Sequence, residues 1–494
     1  SAIESIHPIW IDDIEYAPPI PRDYIIFERE ISLGRFRPFY YITRFIEIDI
    51  FGLNSQAWHL YKLVIGVITT TLLYMAARLV KLSRFFSMLL VSFLILQTSA
   101  TEIWYRLGPA ESQGMLLTAI AMYSLIQGAR KPRFSLMDVI ALIAMLLAGW
   151  TKESFILIVP ALIWMRLCLT IWWHPQSSPI QLCWRLIPLW GIGALMFLGQ
   201  LGFVFFVIST DYERVGDGSL NPLNWFKLLG SLSPHQIMFV PAAIGVTLTA
   251  ITWYRYKKRP QRLWLAWAFP IFLCLWIIPQ FILYSNGFLG SRYVYPVVVG
   301  LILMNIIPLV VAHQYFPRLS LILVLPLLVV FGYGWILDTH NLVTRFASTT
   351  IARGMAIDYI ASHVEPNEYV LIETHPNRKY EHTLGFVILM GTSGMKSPIA
   401  FYFFDDDYED NPFNLNFSNI FPDGYHRVDE INPEQVAFLV SLFSGERLLQ
   451  TPPDGIDMNR FIRREFEHEY VLWNVFWQSP ITISAQFVIY ERDN

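Results

Sequence analysis

Side chains able to do chemistry sit in four places along these 494 residues, each beside an apolar run. Asp12 and Asp13 are adjacent in Trp10-Ile11-Asp12-Asp13-Ile14-Glu15-Tyr16. A carboxylate near an apolar surface has a raised pKa and can act as a base on an acceptor hydroxyl; a solvated acidic turn before Pro18 is the structural alternative. Glu102 and Arg106 stand between two short apolar runs, with Glu111 following. Ionisable groups at membrane depth are costly and tend to be functional, although Glu102 and Arg106 could also simply pair at i,i+4. Lys152-Glu153 joins two apolar runs with almost no loop. The lysine therefore faces a cavity or the outer interface, where it could hold a phosphate as a point charge; the alternative is a tight helical hairpin with snorkelling charges. Arg292, in Gly290-Ser291-Arg292-Tyr293-Val294-Tyr295-Pro296, could grip a phosphate bidentately, with Tyr293 and Tyr295 beside it as stacking partners or interface anchors.

The elements that must position these groups are membrane helices. Apolar runs fall near 59–80, 85–101, 113–128, 137–151, 154–172, 186–208, 236–254, 263–284, 294–312 and 319–337. Several are shorter than the ~20 residues a spanning helix needs, so these would be tilted, re-entrant or packed behind others. The expected architecture is an α-helical polytopic bundle of about 10–11 spans over residues 58–337, preceded by an external segment, 1–57, and followed by a small exported α/β domain, 338–494. Within the first segment, Arg37 to Phe51 is amphipathic and predicts interfacial helices. In the last, Ile351 to His363 reads as a helix, Tyr369 to Glu373 and Ile399 to Phe404 as buried strands, and Val471 to Trp477 with Ala485 to Glu491 as a closing strand pair.

Charge sets the sidedness. Arg78, Lys81 and Arg84, then Arg130, Lys131 and Arg133, then Arg166, Arg185, the run Arg255 to Arg262 and Arg318 all fall on one face, where Asp138 is the only acid. Loops rich in Lys and Arg stay cytoplasmic, so 1–57, 338–494 and the four chemical sites are placed on the extracytoplasmic side of the cytoplasmic membrane. The net charge of −3 hides a partition: residues 338–494 carry 23 acids and 11 bases, residues 58–337 carry 7 and 20. The polar start at Ser1 implies an upstream carrier, either a cleaved signal peptide or, as favoured here, a first transmembrane helix.

Composition removes other classes. At 54% hydrophobic residues the chain is too apolar for an ordinary soluble protein of its size. No long basic run lies in a soluble segment, so nucleic acid is not a partner. Cys168, Cys183 and Cys274 lie in or beside spans, leaving the exported domain to fold without disulfides. His59, His235 and His313 lack metal-ligand spacing and read as structural. Asp405-Asp406-Asp407 with Glu409 and Asp410 could offer oxygen ligands to Ca²⁺, yet lacks an EF-hand pattern and reads as a solvated loop. No cofactor is expected beyond a lipid-linked substrate, and no metal site is apparent in the sequence, which leaves a divalent ion open.

The order of motifs resembles the GT-C superfamily of membrane glycosyltransferases, in its polyprenyl-phosphate-sugar-dependent, mannosyltransferase-like branch. The resemblance rests on Asp12-Asp13, on Gly34-Arg35-Phe36-Arg37-Pro38, on Thr101 to Glu111, on Lys152-Glu153 and on Arg292-Tyr293-Val294-Tyr295, and covers residues 8–340. It implies a lipid-linked sugar donor, a glycan, lipid or protein acceptor, and inversion at the anomeric carbon. Asp13 or Asp12 would be the base, Lys152 and Arg292 the phosphate ligands, Glu102 a positioning group, and Arg106, Glu153, Tyr293 and Tyr295 further contacts. Two other classes compete: a non-catalytic scaffold on the same fold, which would tolerate loss of the acids, and a lipid or solute transporter, disfavoured by the missing inverted repeat.

Overall fold

The computed structural model describes residues 36–51, 54–96, 98–105, 110–206, 260–283, 295–300, 302–303, 317–374, 399–403, 425–427, 431–441, 455–472 and 481–493. Among them, 36–105 and 110–339 form one compact unit and 340–493 another.

The first unit is helical throughout its described residues. Its helices are α1 (Pro38–Phe51), α2 (Ser55–Leu79), α3 (Arg84–Ile95), α4 (Thr98–Tyr105), α5 (Glu111–Ala129), α6 (Leu136–Thr151), α7 (Glu153–Ile156), α8 (Val159–Trp173), α9 (Pro179–Arg185), α10 (Ile187–Phe206) and α11 (Pro260–Leu283). By length and composition, Gln56–Leu79 and Glu153–Trp173 can each cross a membrane, and α9 with α10, bent by 61° at their junction, adds a third. The apolar helices Arg84–Ile95, Leu136–Thr151 and Pro270–Leu283 are shorter. The run 85–101 is not one helix as expected: α3 stops at Ile95 and α4 restarts at Thr98, because Thr and Ser favour helix starts over interiors. The run 236–254 lies outside the described residues.

Helix α5 is the centre of the bundle. Fourteen of its residues are buried, and it packs against α2, α6 and α8. Small residues allow the close approach: a side chain at Gly114 would run into the Phe155 ring, and one at Gly128 would meet Asp138 and Arg166. The outward faces are apolar, with Leu63, Val64 and Val67 of α2 and Leu195 and Leu198 of α10 exposed. Helix α1 buries Tyr40, Tyr41, Phe45 and Ile48 on one face, and two charged residues share that face. Ile42, Ile46 and Ile50 face out, while Arg44 and Glu47 are buried.

At one end of α6 lies a closed ion pair. Arg166 was expected among the basic loop residues; instead it is wholly buried in α8, donating from Nε to Asp138 Oδ1 at 2.7 Å and from Nη2 to Oδ2 at 3.2 Å. The same carboxylate caps α6, accepting from the Ser135 backbone N–H and hydroxyl at 2.8 Å each. Arg166 Nη2 also reaches the carbonyls of Lys131 and Arg133 at 3.3 and 3.4 Å. The guanidinium thus ties the loop between α5 and α6 to the middle of α8.

The second unit holds the sheet, in the order β3-β2-β1-β4-β6-β5. Strands β1 (Tyr369–Thr374), β2 (Ile399–Phe403), β3 (Tyr425–Arg427) and β4 (Val436–Ser441) are parallel neighbours, and β6 (Ile481–Arg492) runs antiparallel between β4 and β5 (Phe461–Leu472). Alternation along β1 sends Val370 and Ile372 to one face and Leu371 to the other. The first face packs on Ala352, Ala356, Ile357 and Ile360 of the helix α12 (Pro317–His363), the second on Ile431 and Ile456. Two expectations need correction. Runs 319–337 and 351–363 belong to one continuous helix, since nothing between them carries a stop signal. The closing pair begins at Phe461, not Val471, because Arg463 to Glu469 is charge-rich and half-exposed on both faces.

Replacing Arg166 by Ala leaves Asp138 buried without its cation, which costs about 3–5 kcal/mol. The double variant with Asp138→Ala should lose clearly less than the sum of the two single losses. Unfolding of the detergent-solubilised protein measures this, and additive losses would show that the pair is not a unit.

Candidate functional site

Three consecutive side chains open α5, and each is bonded to a different element. Successive residues on a helix point about 100° apart, so Glu111, Ser112 and Gln113 can reach three neighbours at once. Glu111 pairs with the Lys152 ammonium at the break between α6 and α7. Ser112 Oγ accepts from Lys62 Nζ of α2 at 2.5 Å. Gln113 donates from Nε2 to Glu47 Oε1 of α1 at 2.6 Å, and its Oε1 accepts from Thr43 Oγ1 at 2.9 Å. An acid in a first helical turn is also favoured by the helix dipole.

Around this turn the network continues. Arg44 pairs with Glu47 Oε2 at 2.9 Å and lies over the rings of Tyr40 and Trp58, at 5.3 and 5.1 Å from their centroids. At the edge, half-buried Glu153 accepts from the Phe36 backbone N–H at 2.9 Å, and the Phe36 ring packs on Phe203 and Trp150. Exposure is 3% for Arg44, 3% for Lys62, 8% for Lys152, 4% for Glu47 and 3% for Glu111. Five charged side chains are therefore buried together, three of them basic.

The break that presents Lys152 has a simple backbone origin. Lys152 is extended, at φ −162° and ψ 137°, so α6 ends there and the single turn of α7 begins one residue later. Phe155, in that turn, seats its ring against Gly114 in the first turn of α5.

Of the residues expected to act, Lys152 comes together with Glu111 in this network, while Glu153, next in sequence, bonds to the Phe36 backbone. Tyr295 is buried elsewhere in the bundle core and donates its hydroxyl to the Leu94 carbonyl at 3.0 Å. Asp12, Asp13, Arg106, Arg292 and Tyr293 lie outside the described residues, as does the side chain of Glu102. Sequence reasoning missed Arg44, Glu47, Lys62, Ser112 and Gln113. Lys62 carried a usable signal, as a lone cation three residues inside an apolar run. Among the described residues no three His, Cys, Asp or Glu side chains group as a metal site. The network's polar atoms are the ammonium groups of Lys62 and Lys152, the Arg44 guanidinium, and the carboxylates of Glu47 and Glu111.

Gly114→Ala drives a methyl group into the buried Phe155 ring and so shifts α7 against α5. Overpacking of this kind costs about 1–3 kcal/mol. Adding Phe155→Leu to Gly114→Ala should restore part of the loss, read as the unfolding temperature in detergent; no recovery would mean that the ring is not what the methyl meets.

No protein-family model matches the chain, and no curated protein matches it. Among solved structures, it is similar to the crystal structure of ArnT from Cupriavidus metallidurans in the apo state, at 15% identity over 98% of this chain and 96% of that one, with a TM-score of 0.38. A likeness of that strength bears on neither fold nor activity.

Proposed function

We propose that this chain is an integral-membrane glycosyltransferase that moves a sugar from a polyprenyl-phosphate donor to an acceptor hydroxyl, with inversion. The observation that carries this reading is the buried network at the first turn of α5, with Arg44, Lys62 and Lys152 against Glu47 and Glu111. Apolar surroundings make such a cluster costly, and costly intramembrane charges are kept for function. An anion carried in on a lipid tail is the ligand whose tail suits the bilayer and whose head suits the cations.

In this reading the donor phosphate shares Lys152 with Glu111. Charge builds on the phosphate as the glycosidic bond breaks, and cations already fixed in a dry site stabilise that charge without reorganising. Arg292 is a further phosphate ligand, Glu102 positions the sugar, and Asp12 or Asp13 takes the acceptor proton on the extracytoplasmic side. Acceptor chemistry spans glycan, lipid and protein hydroxyls.

One observation favours a second reading, a non-catalytic scaffold. Each buried cation already has a protein partner: Glu47 for Arg44, Ser112 for Lys62 and Glu111 for Lys152. A network satisfied in this way can also stand as structure alone.

Sugar transfer from synthetic polyprenyl-phosphate sugars by the purified chain in lipid vesicles separates the two. Wild type should turn over. Lys152→Met should lower the rate by about 10²–10³, the usual effect of removing one preorganised donor to developing charge, and either Asp12→Asn or Asp13→Asn should abolish it. No turnover with any donor, in a folded wild type, would leave the scaffold.

A further inference from the structure

We propose that Gln200 and Gln280 are positioning residues for Lys152: two side-chain amides, from two different helices, that hold open the backbone break presenting its ammonium. The inference rests on the transferase reading for its purpose, and on the following geometry for its substance. Gln200 of α10 donates from Nε2 to the Gly149 carbonyl at 2.7 Å. Gln280 of α11 donates from Nε2 to the Ser154 carbonyl at 2.5 Å. The two contacts bracket Lys152, three residues before it and two after.

Each carbonyl is freed at one end of α7: Gly149 by the extended backbone at Lys152, and Ser154 by the turn at residues 157–158 between α7 and α8. In an unbroken helix Gly149 would accept from residue 153 and Ser154 from residue 158. Here α6 closes with Lys152 N–H on the Ala148 carbonyl, residue 153 starts a new turn, and the Ile158 N–H turns to the Phe155 carbonyl at 3.2 Å. A carbonyl left bare in an apolar bundle is expensive. The two glutamines supply one donor at each end of α7, and they are themselves costly there: Gln280 is wholly buried and Gln200 is 6% exposed. Their Oε1 atoms, with the Ser154 hydroxyl, have no hydrogen-bond partner among the described residues, so what each amide contributes in the described structure is its N–H. Gly149 belongs to the same device, since a side chain there would overlap the Gln200 amide.

A break held by two outside donors keeps Lys152 extended rather than folded back into a continuous helix. Generic helix–helix glue would stabilise the bundle and act on no residue in particular. Positioning acts through Lys152, and that difference is measurable.

The full chain in nanodiscs is tested as wild type, Gln200→Met and Gln280→Met, each also in a Lys152→Met background, with Gln280→Leu as a second variant that keeps the site filled and loses the donor. The probes are hydrogen exchange of the peptide covering 149–158 and binding of farnesyl monophosphate. Exchange in 149–158 should quicken about tenfold, the scale of one lost buried hydrogen bond, with other peptides unchanged. Farnesyl monophosphate should bind about tenfold more weakly to the glutamine variants, but show no further loss when Lys152 is already Met. Unchanged exchange in 149–158, quickened exchange throughout the chain, or an equal loss of binding in the Lys152→Met background would each overturn the proposal. Wild type that fails to bind the phosphate would instead remove the transferase reading, while exchange in 149–158 would still decide whether the glutamines hold the break.

Discussion

The first turn of α5 is the constraint on which the bundle depends. Burying a charge in an apolar layer is tolerable only if its polar atoms are met by other protein groups. Glu111, Ser112 and Gln113 meet this condition for three elements at once, because their side chains diverge around the helix and each reaches a different neighbour. Losing the register of α5 by one residue would misdirect all three. The apolar part of α5 then has little freedom left: Gly114 must pass Phe155, and Gly128 must pass Asp138 and Arg166. A polar specification at one end and close packing at both ends fix the same helix.

Helix α1 shows what burying charge does to an amphipathic segment. The usual interfacial helix turns its charges to water and its apolar stripe to lipid. Here Ile42, Ile46 and Ile50 face outward, but Arg44 and Glu47 face protein rather than solvent. The charges pair with each other, and Glu47 accepts from Gln113 of α5. The buried face of the helix therefore sets Arg44 and Glu47 among Tyr40, Tyr41, Phe45 and Ile48.

Much of this was legible in the sequence, in proportion to how local its cause is. Helices that come from hydropathy, such as α2, α6 and α11, were placed to within a few residues, whereas the run 154–172 is broken into α7 and α8. Lys152-Glu153 stood out because an apolar run cannot pass through two charges unnoticed. Arg44 and Glu47 did not, since an amphipathic pattern fixes two faces without saying which one is buried. Lys62 reads equally well as a snorkelling cation until Ser112, fifty residues away, is seen beside it. Arg166 was counted with the loop bases because its partner, Asp138, is brought to it only by packing. In the second unit, β1 and β2 announce themselves as buried apolar strands, whereas β5 carries charge on both faces and hides its alternation. The two glutamines at the Lys152 break have no sequence signal at all, because their partners are backbone carbonyls.

The two ion pairs on either side of α6 also bear on depth. Asp138 and Lys152 are separated by fourteen residues, and a helical rise of 1.5 Å per residue puts them about 21 Å apart along the axis. The hydrocarbon core of a bilayer is ~30 Å thick, and tilt only shortens the vertical distance. If α6 stands across the membrane, both pairs cannot sit at the interfaces; at least one lies below the headgroups. The Asp138–Arg166 pair is suited to such a place, since its charges balance and it is closed by a helix cap and loop carbonyls. The Lys152 network is larger: among the described residues it gathers Arg44, Lys62 and Lys152 with Glu47 and Glu111, with half-buried Glu153 beside it. A balanced, capped pair is what a fold needs to seat a helix. Its counterpart at the other end joins α1, α2, α5 and the break after α6, which is more than the seating of one helix requires.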